Sequence, residues 1–392
     1  MNWIEKMIAE QCPNGVERVK LISISNILYG CPFNATLFTE DSQYIPLIRI
    51  RDILSGKPST YYTGDYEDKY IIRKNDILVG MDGNFNLGRW NSRDAVLCQR
   101  TLKIEAKTEE VVLNNYLYHY LGPVFKMIEE QTPGGSVKHL SAKAINSIEI
   151  PLPSLSIQEE IVSVLDKFSE LIEKTDEEIA LRQKQYEYYR EKLLTFEEGL
   201  YQKIGNITRV FSASRVHKHE WQSSGVPFWR SSDVMSYYKG EENNRGKAYI
   251  SYELYEELSA KSGKIHKDDL LVTGGGSIGI PYIVPNDEPL YVKDADLLCI
   301  TKNNLLSTRF LYHFMLSNEF RDYLKKITHD ASIAHYTISQ IKETPIPVPS
   351  LSRQQEIVET LDKFEALIAS LKEERELRQK QYEYYREKLL TF

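Results

Sequence analysis

The stretch RQKQYEYYREKLLTF occurs twice in this 392-residue chain, at 182–196 and, letter for letter, at 378–392. The offset of 196 residues divides the chain into two equal halves with the same ending. Extended backwards, 150–196 and 346–392 agree at 34 of 47 positions. A repeat of this period marks the duplication of a whole domain-sized unit, which fixes the architecture before any local reading begins.

Within the repeat, apolar and aromatic residues recur at alternating steps of three and four, the spacing of a helical seam. One copy places Leu165, Phe168, Ile172, Tyr186, Tyr189 and Leu193 on that seam; the other places Leu361, Phe364, Ile368, Tyr382, Tyr385 and Leu389 there. The tetrads Ser156–Glu159 and Ser352–Gln355 fit a capping box at each helix start. The proline-rich IPLP (150–153) and IPVP (346–349) before them read as extended linkers. Each helix is then about 40 residues, or roughly 60 Å, long. Each copy finds its natural partner in the other, and antiparallel pairing, with a globular domain at each end, is expected over parallel. The predicted domains are 1–150, a spacer helix 151–196, 197–346 and a second spacer helix 347–392.

Composition is that of an ordinary globular protein, 42% hydrophobic and 27% charged. No apolar run is long enough to span a membrane, and Glu5, Lys6 and Glu10 interrupt the start where a signal peptide needs apolar residues, so a cytoplasmic location is expected. Cys12, Cys31, Cys98 and Cys299 lack metal-ligand spacing and read as free thiols. His217, Lys218 and His219 read as a solvated loop; no metal site is expected. The net charge of −7 is not spread evenly. Residues 1–150 carry 17 Lys/Arg against 18 Asp/Glu, and 197–346 carry 18 against 19. Near-neutral globular parts permit local basic grooves without implying a polyanion partner.

Both globular parts run from strand-like to helical text, an α+β class with two similar mixed domains. Segments 44–53, 71–79 and 95–104 read as strands before a helix at 114–130. In the second half, 226–234, 269–273 and 297–300 precede a helix at 307–327. The halves echo each other: Pro46, Arg49 and Asp52 match Pro227, Arg230 and Asp233, and DILV (76–79) matches DLLV (269–272). GSVKH (135–139) matches ASIAH (331–335) at the same 196-residue offset. One frame with divergent surfaces suits two readers of different targets.

These segments carry a resemblance. CPNGVERVKL (12–21), the PxxRxxD strands, DILVGMDGN, DLLVTGGGSIG and the twice-used IPxPSLxxQxxIVxxLDKF are similar to the DNA-specificity subunit of type I restriction–modification systems. The resemblance covers essentially the whole chain, departing at 208–220, where a second CPNGVERVKL is not evident. It implies two target-recognition domains that each read half of a split double-stranded DNA site, while the paired helices set the gap and dock two methyltransferase subunits. A translocating nuclease subunit joins in the full complex. It also implies that this chain is non-catalytic and binds no cofactor, S-adenosylmethionine belonging to the methyltransferase partner.

The residues themselves argue against an enzyme. Gly274–Gly279 formally satisfies GxGxxG, but strand-like text follows where a dinucleotide site needs a helix, so a hairpin or loop is expected. No P-loop, methyltransferase tetrapeptide or nuclease pattern is present, and no catalytic residue is assigned. His139 and His335 sit at matching positions and read as packing or phosphate contacts. Base reading pairs Arg with guanine and Asn or Gln with adenine, while other contacts to phosphate set register. The candidate DNA-binding residues are Arg51, Lys57, Tyr61, Tyr62, Asn84, Asn86, Arg89 and Lys138 in the first half. Lys239, Asn243, Asn244, Arg245, Ser277, Ala334 and His335 are the candidates in the second. Tyrosines on two faces of the helix tails supply both a seam and a partner surface. The competing class is a scaffold that joins two proteins without touching DNA.

Overall fold

The computed structural model describes residues 3–133, 137–241, 246–328 and 335–392. The chain forms two compact units, one of residues 1–176 with 374–392 and the other of 177–373. Their division falls inside the long helices, Leu155–Leu193 (39 residues, the central helix) and Leu351–Leu390 (40 residues, the C-terminal helix). Each unit therefore holds one globular domain, the first part of the helix that follows it and part of the other helix.

Within each unit the two helices run antiparallel, held by the predicted seam. In the first, Phe168 stacks on Tyr385 with centroids 5.2 Å apart, and Asp176 meets Arg375 at 3.1 Å. That ion pair is exposed and contributes little. In the second, Tyr189 stacks on Phe364 at 5.3 Å. Leu165, Ile172, Tyr382 and Leu389 join the first core; Tyr186, Leu361 and Ile368 join the second. Phe168, Leu193 and Phe364 are half-buried against these cores, Tyr189 and Tyr385 are exposed, and Leu194 beside Leu193 is buried.

The helix starts differ from expectation. Ser154 and Ser350, not Ser156 and Ser352, stand at the caps: the Ser154 carbonyl accepts from Ile157 and Gln158, and the Ser350 hydroxyl accepts from the Arg353 N–H. The proline segments are not linkers either. Glu149–Pro151 pairs antiparallel with Arg18–Lys20, and Pro345–Pro347 pairs with Tyr201–Lys203. Proline is tolerated in such two-stranded ribbons because one edge needs no donor. The second pairing also locates the missing entry motif. Tyr201–Lys203 followed by the short helix Ile204–Ile207 repeats Arg18–Lys20 and Leu21–Ile24, directly after the central helix and before 208–220.

Both domains carry the same four-stranded antiparallel sheet. Its order in the first is Ser25–Tyr29, Thr101–Ala106, Ile77–Gly80, Leu87–Arg89; in the second it is Val210–Ser212, Leu297–Ile300, Leu270–Thr273, Pro281–Ile283. The Gly274–Gly279 segment is the turn of an antiparallel hairpin, as expected, with Leu270 opposite Ile283. Gly276 and Gly279 adopt φ of 71° and 75°, and Gly274 lies where a Cβ would strike the Ala295 carbonyl. The glycines serve tight turning and close backbone approach.

A second sheet, of five short strands in the first domain and three in the second, contains the PxxRxxD segment. Ile45–Ile48 and Val226–Trp229 are strands, but neither continues to Asp52 or Asp233. The chain instead turns into the helices Asp52–Ser55 and Ser231–Lys239. The cause is the acid: Asp52 accepts the Arg49 N–H at 3.0 Å and Asp233 the Arg230 N–H at 2.9 Å, a reach-back contact that stops the strand. The predicted domain-end helix is continuous at Asn114–Gln131 and contains Pro123. Its counterpart breaks into Thr308–Met315 and Asn318–Thr328, with Ser317 accepting the Phe320 N–H where the new helix begins.

Candidate nucleic-acid interface

The first-half candidates divide by what their side chains already do. Lys57 and Asn84 are exposed, and Asn86 is half-buried beside the hairpin turn, its carbonyl accepting from Gly80. Arg51 is exposed, its guanidinium steadied by the hydroxyls of Ser59 and Thr60 at 3.0 and 3.2 Å. Tyr61 is half-buried, with Arg93 5.8 Å above its ring. Three candidates face inward instead. Tyr62 is buried between Phe33 and Phe38, since the residue after an outward-facing strand position points to the core. Lys138 donates to the Glu129 carbonyl near the end of the Asn114–Gln131 helix, satisfying an acceptor that the helix leaves open. Arg89 is bound to Asp166 at 2.8 Å and lies over Tyr118 at 4.1 Å, where it fastens the sheet to the central helix.

In the second half, Lys239, Ser277 and His335 are exposed. Asn243, Asn244, Arg245 and Ala334 lie outside the described residues. His139 has a definite role: its Nδ1 sits 2.5 Å from Asp82, which also meets Arg100 at 3.1 Å, tying the hairpin turn to the segment after the domain-end helix.

Two duplicated constellations escape sequence reading. The first is an amide clamp. Gln158 is fully buried; its Oε1 accepts the Leu113 N–H at 3.0 Å, and its Nε2 donates to the carbonyls of Val111 and Pro153. Gln354 repeats this with Ser307, Leu305 and Pro349. All of these partners are backbone groups, so the clamp sets where each helix meets its domain. The glutamine of PSLxxQ is the signal; its burial was not legible because a glutamine at a helix start reads as a solvated residue.

The second is a His–Asp–Tyr junction. YLYHY (116–120) and FLYHF (310–314) repeat on the domain-end helices. His119 Nε2 lies 2.8 Å from Asp166 of the central helix and Nδ1 lies 2.9 Å from the Tyr382 hydroxyl of the C-terminal helix. A carboxylate only accepts, so Nε2 carries the proton and Tyr382 donates to Nδ1. Burial holds His119 below its ordinary value, and hence neutral, against the opposing pull of Asp166. His313 sits between the matching groups, its Nε2 2.8 Å from Asp362 and its Nδ1 3.1 Å from the Tyr186 hydroxyl, which itself donates to Glu365 at 2.9 Å; each helix copy thus supplies the acid to one unit and the tyrosine to the other. Arg309 closes this second junction, bonding Asp362 at 2.7 Å and also Glu365. His313, Asp362 and Glu365 have metal-ligand proximity, but the Arg309 guanidinium already pairs with both carboxylates. These junctions fasten domain to helices.

The junction has a pH signature. Burial raises the Asp166 pKa, yet the bonds from His119 and Arg89 outweigh it and bring it down to about 2, from an ordinary 3.8. A folded value below the unfolded one gives stability that is present above pH 3.8 and is lost as pH falls towards about 2. The stability gap between wild type and Asp166→Asn, measured by denaturant unfolding, is expected to be largest near neutrality and to shrink across that window. A gap independent of pH would contradict the assignment.

A mixed α/β domain that occurs twice, each copy fastened to an antiparallel helix pair, defines a duplicated two-domain protein. The sequence matches the family described as type I restriction modification DNA specificity domain twice, over residues 13–181 and 202–378. The chain belongs to that family. It is 27% identical over 413 residues to the type I restriction enzyme EcoBI specificity subunit of Escherichia coli, covering 95% of this chain and 85% of that one. A putative type I restriction enzyme specificity subunit of Haemophilus influenzae is 33% identical over 345 residues, covering 84% and 86%. The fold is similar to the crystal structure of the type I restriction–modification S subunit from M. genitalium, with TM-score 0.59, 16% identity and 97% of both chains covered.

Proposed function

We propose that this chain reads a bipartite duplex DNA site, one half-site per globular domain, and brings methyltransferase and restriction subunits to it. The observation that carries this is the pair of units: two domains with one frame, different exposed side chains and a shared helical connection. Reading requires positioned side chains at base edges, and the chemistry then belongs to the partners. The methyltransferase partner uses S-adenosylmethionine and the nuclease partner cleaves; this chain supplies recognition alone. The helices supply both the spacing and the docking surface. Leu181 and Tyr188 are each 60% exposed on the central helix, and Leu377 and Tyr384 are 55% and 59% exposed on the C-terminal helix. Each pair is seven residues apart, an apolar stripe at helical repeat spacing, and suits a partner's helix. Among the described residues no helix is long and apolar enough to cross a membrane, and access to DNA places the complex in the cytoplasm.

Sequencing the methylated bases of a host with and without this chain tests the proposal. One bipartite motif should be methylated only when the chain is present. An unchanged methylation pattern would overturn DNA reading and leave a scaffold.

A further inference from the structure

The second sheet has five strands in the first domain and three in the second, and the three strands they share pair in the same register. Pro46 lies opposite Tyr61 and Pro227 opposite Tyr249. Leu47 and Ile48 run parallel to Val96 and Leu97, as Phe228 and Trp229 do to Tyr291 and Val292. The arginine after each strand lies against a ring, Arg49 5.1 Å from Phe38 and Arg230 5.7 Å from Trp221. Asp52 and Asp233 make the same backbone contact to those arginines. The corner where strand becomes helix thus repeats its pairing, its arginine–ring contact and its aspartate stop, although the helix that follows has four residues in the first domain and nine in the second.

Its exposed residues are not identical. In the second domain the corner opens into a cleft of about 500 Å³ walled by Trp229, Tyr237 and Tyr249, with Glu241 and Lys247 on its rim. Tyr237 is 61% exposed, and its ring is set edge-on against Tyr282 at 4.9 Å. In the first domain Arg51 and Lys57 are exposed after the same strand, Arg51 bonding Ser59 and Thr60, which precede the half-buried Tyr61. Elsewhere in that domain, Arg89 and Lys138 are committed to internal bonds and the hairpin turn is tied down through Asp82. A frame that is constant while its outward chemistry changes is what two readers of different half-sites require.

We infer that these corners are the half-site-reading surfaces, with Trp229, Tyr237 and Lys247 specificity-determining in the second domain and Arg51, Lys57 and Tyr61 in the first. The inference rests on the DNA-reading function proposed above. Its ligand is duplex DNA: rings suit thymine methyl groups and sugars, while lysine and arginine suit guanine edges and phosphates.

The test uses the full chain assembled with methyltransferase subunits. Tyr237→Ala with Lys247→Ala changes only exposed side chains and should relax the second half-site. Preference for the native base at one or more of its positions should drop about tenfold or more, the scale of one mismatched pair. The first half-site and the gap should stay as they were, which also reports that the chain is folded and assembled. Arg51→Ala with Lys57→Ala should do the reverse. Should either complex stop methylating, its binding to duplexes with single substitutions in each half-site decides instead: flattened discrimination at the matching half supports the assignment and retained discrimination overturns it. Unchanged motifs from both variants overturn the location while leaving DNA reading intact. A wild-type complex with no bipartite motif overturns both.

Discussion

Replacing Gln158 by leucine should destabilise the first unit by about 3 kcal/mol or more. The substitution keeps the volume but leaves the Leu113 N–H and the Val111 and Pro153 carbonyls without their side-chain partner. Val111 is exposed and its carbonyl can turn to water, so the cost falls on the Leu113 N–H and the buried Pro153 carbonyl, at about 1–3 kcal/mol each. For a unit of this size that corresponds to a fall in melting temperature of roughly 6 °C or more, at 2–4 °C per kcal/mol. Gln354→Leu should do the same to the second unit. Calorimetry of the full chain would show the loss, and near-wild-type melting in both variants would mean that water replaces the clamp at no cost.

Lengthening both long helices should change the gap between half-sites and nothing else. Repeating 177–180 in the central helix and 372–375 in the C-terminal helix adds about 6 Å at 1.5 Å per residue. Duplex DNA advances about 3.4 Å per base pair, so the gap should grow by one or two base pairs. Four residues turn the helix about 40° past a full revolution, close to the rotation of one base-pair step, so distance and phase shift together. The insertion locally unwinds the heptad pattern. The matched repeat in the other helix keeps Phe168 opposite Tyr385 and Tyr189 opposite Phe364. The measurement is the methylated motif before and after insertion. A new half-site with the old gap would show that the helices are not the spacer.

The sequence alone determined the duplication, the two long helices and most of their seam. These follow from identity at a fixed offset and from 3.6-residue periodicity, both properties of a linear string. It also carried the family, because the repeated motifs lie where helix meets domain. The RxxD stop was written there as well, but as a capping contact inside what reads as a strand.

Only the tertiary structure decided which polar residues are available to a partner. Arg89 reads as a cation at a hairpin, yet Asp166 claims it from 77 residues away. Tyr382 reads as seam, yet its hydroxyl is held by His119 across 263 residues. Gln158 reads as a helix-start residue, yet it is fully buried. Periodicity reports which face of an element an apolar residue takes, because burial is repeated along the chain. The partner of a single hydrogen bond or ion pair is set once, by contacts between elements far apart in sequence, and leaves no period to read.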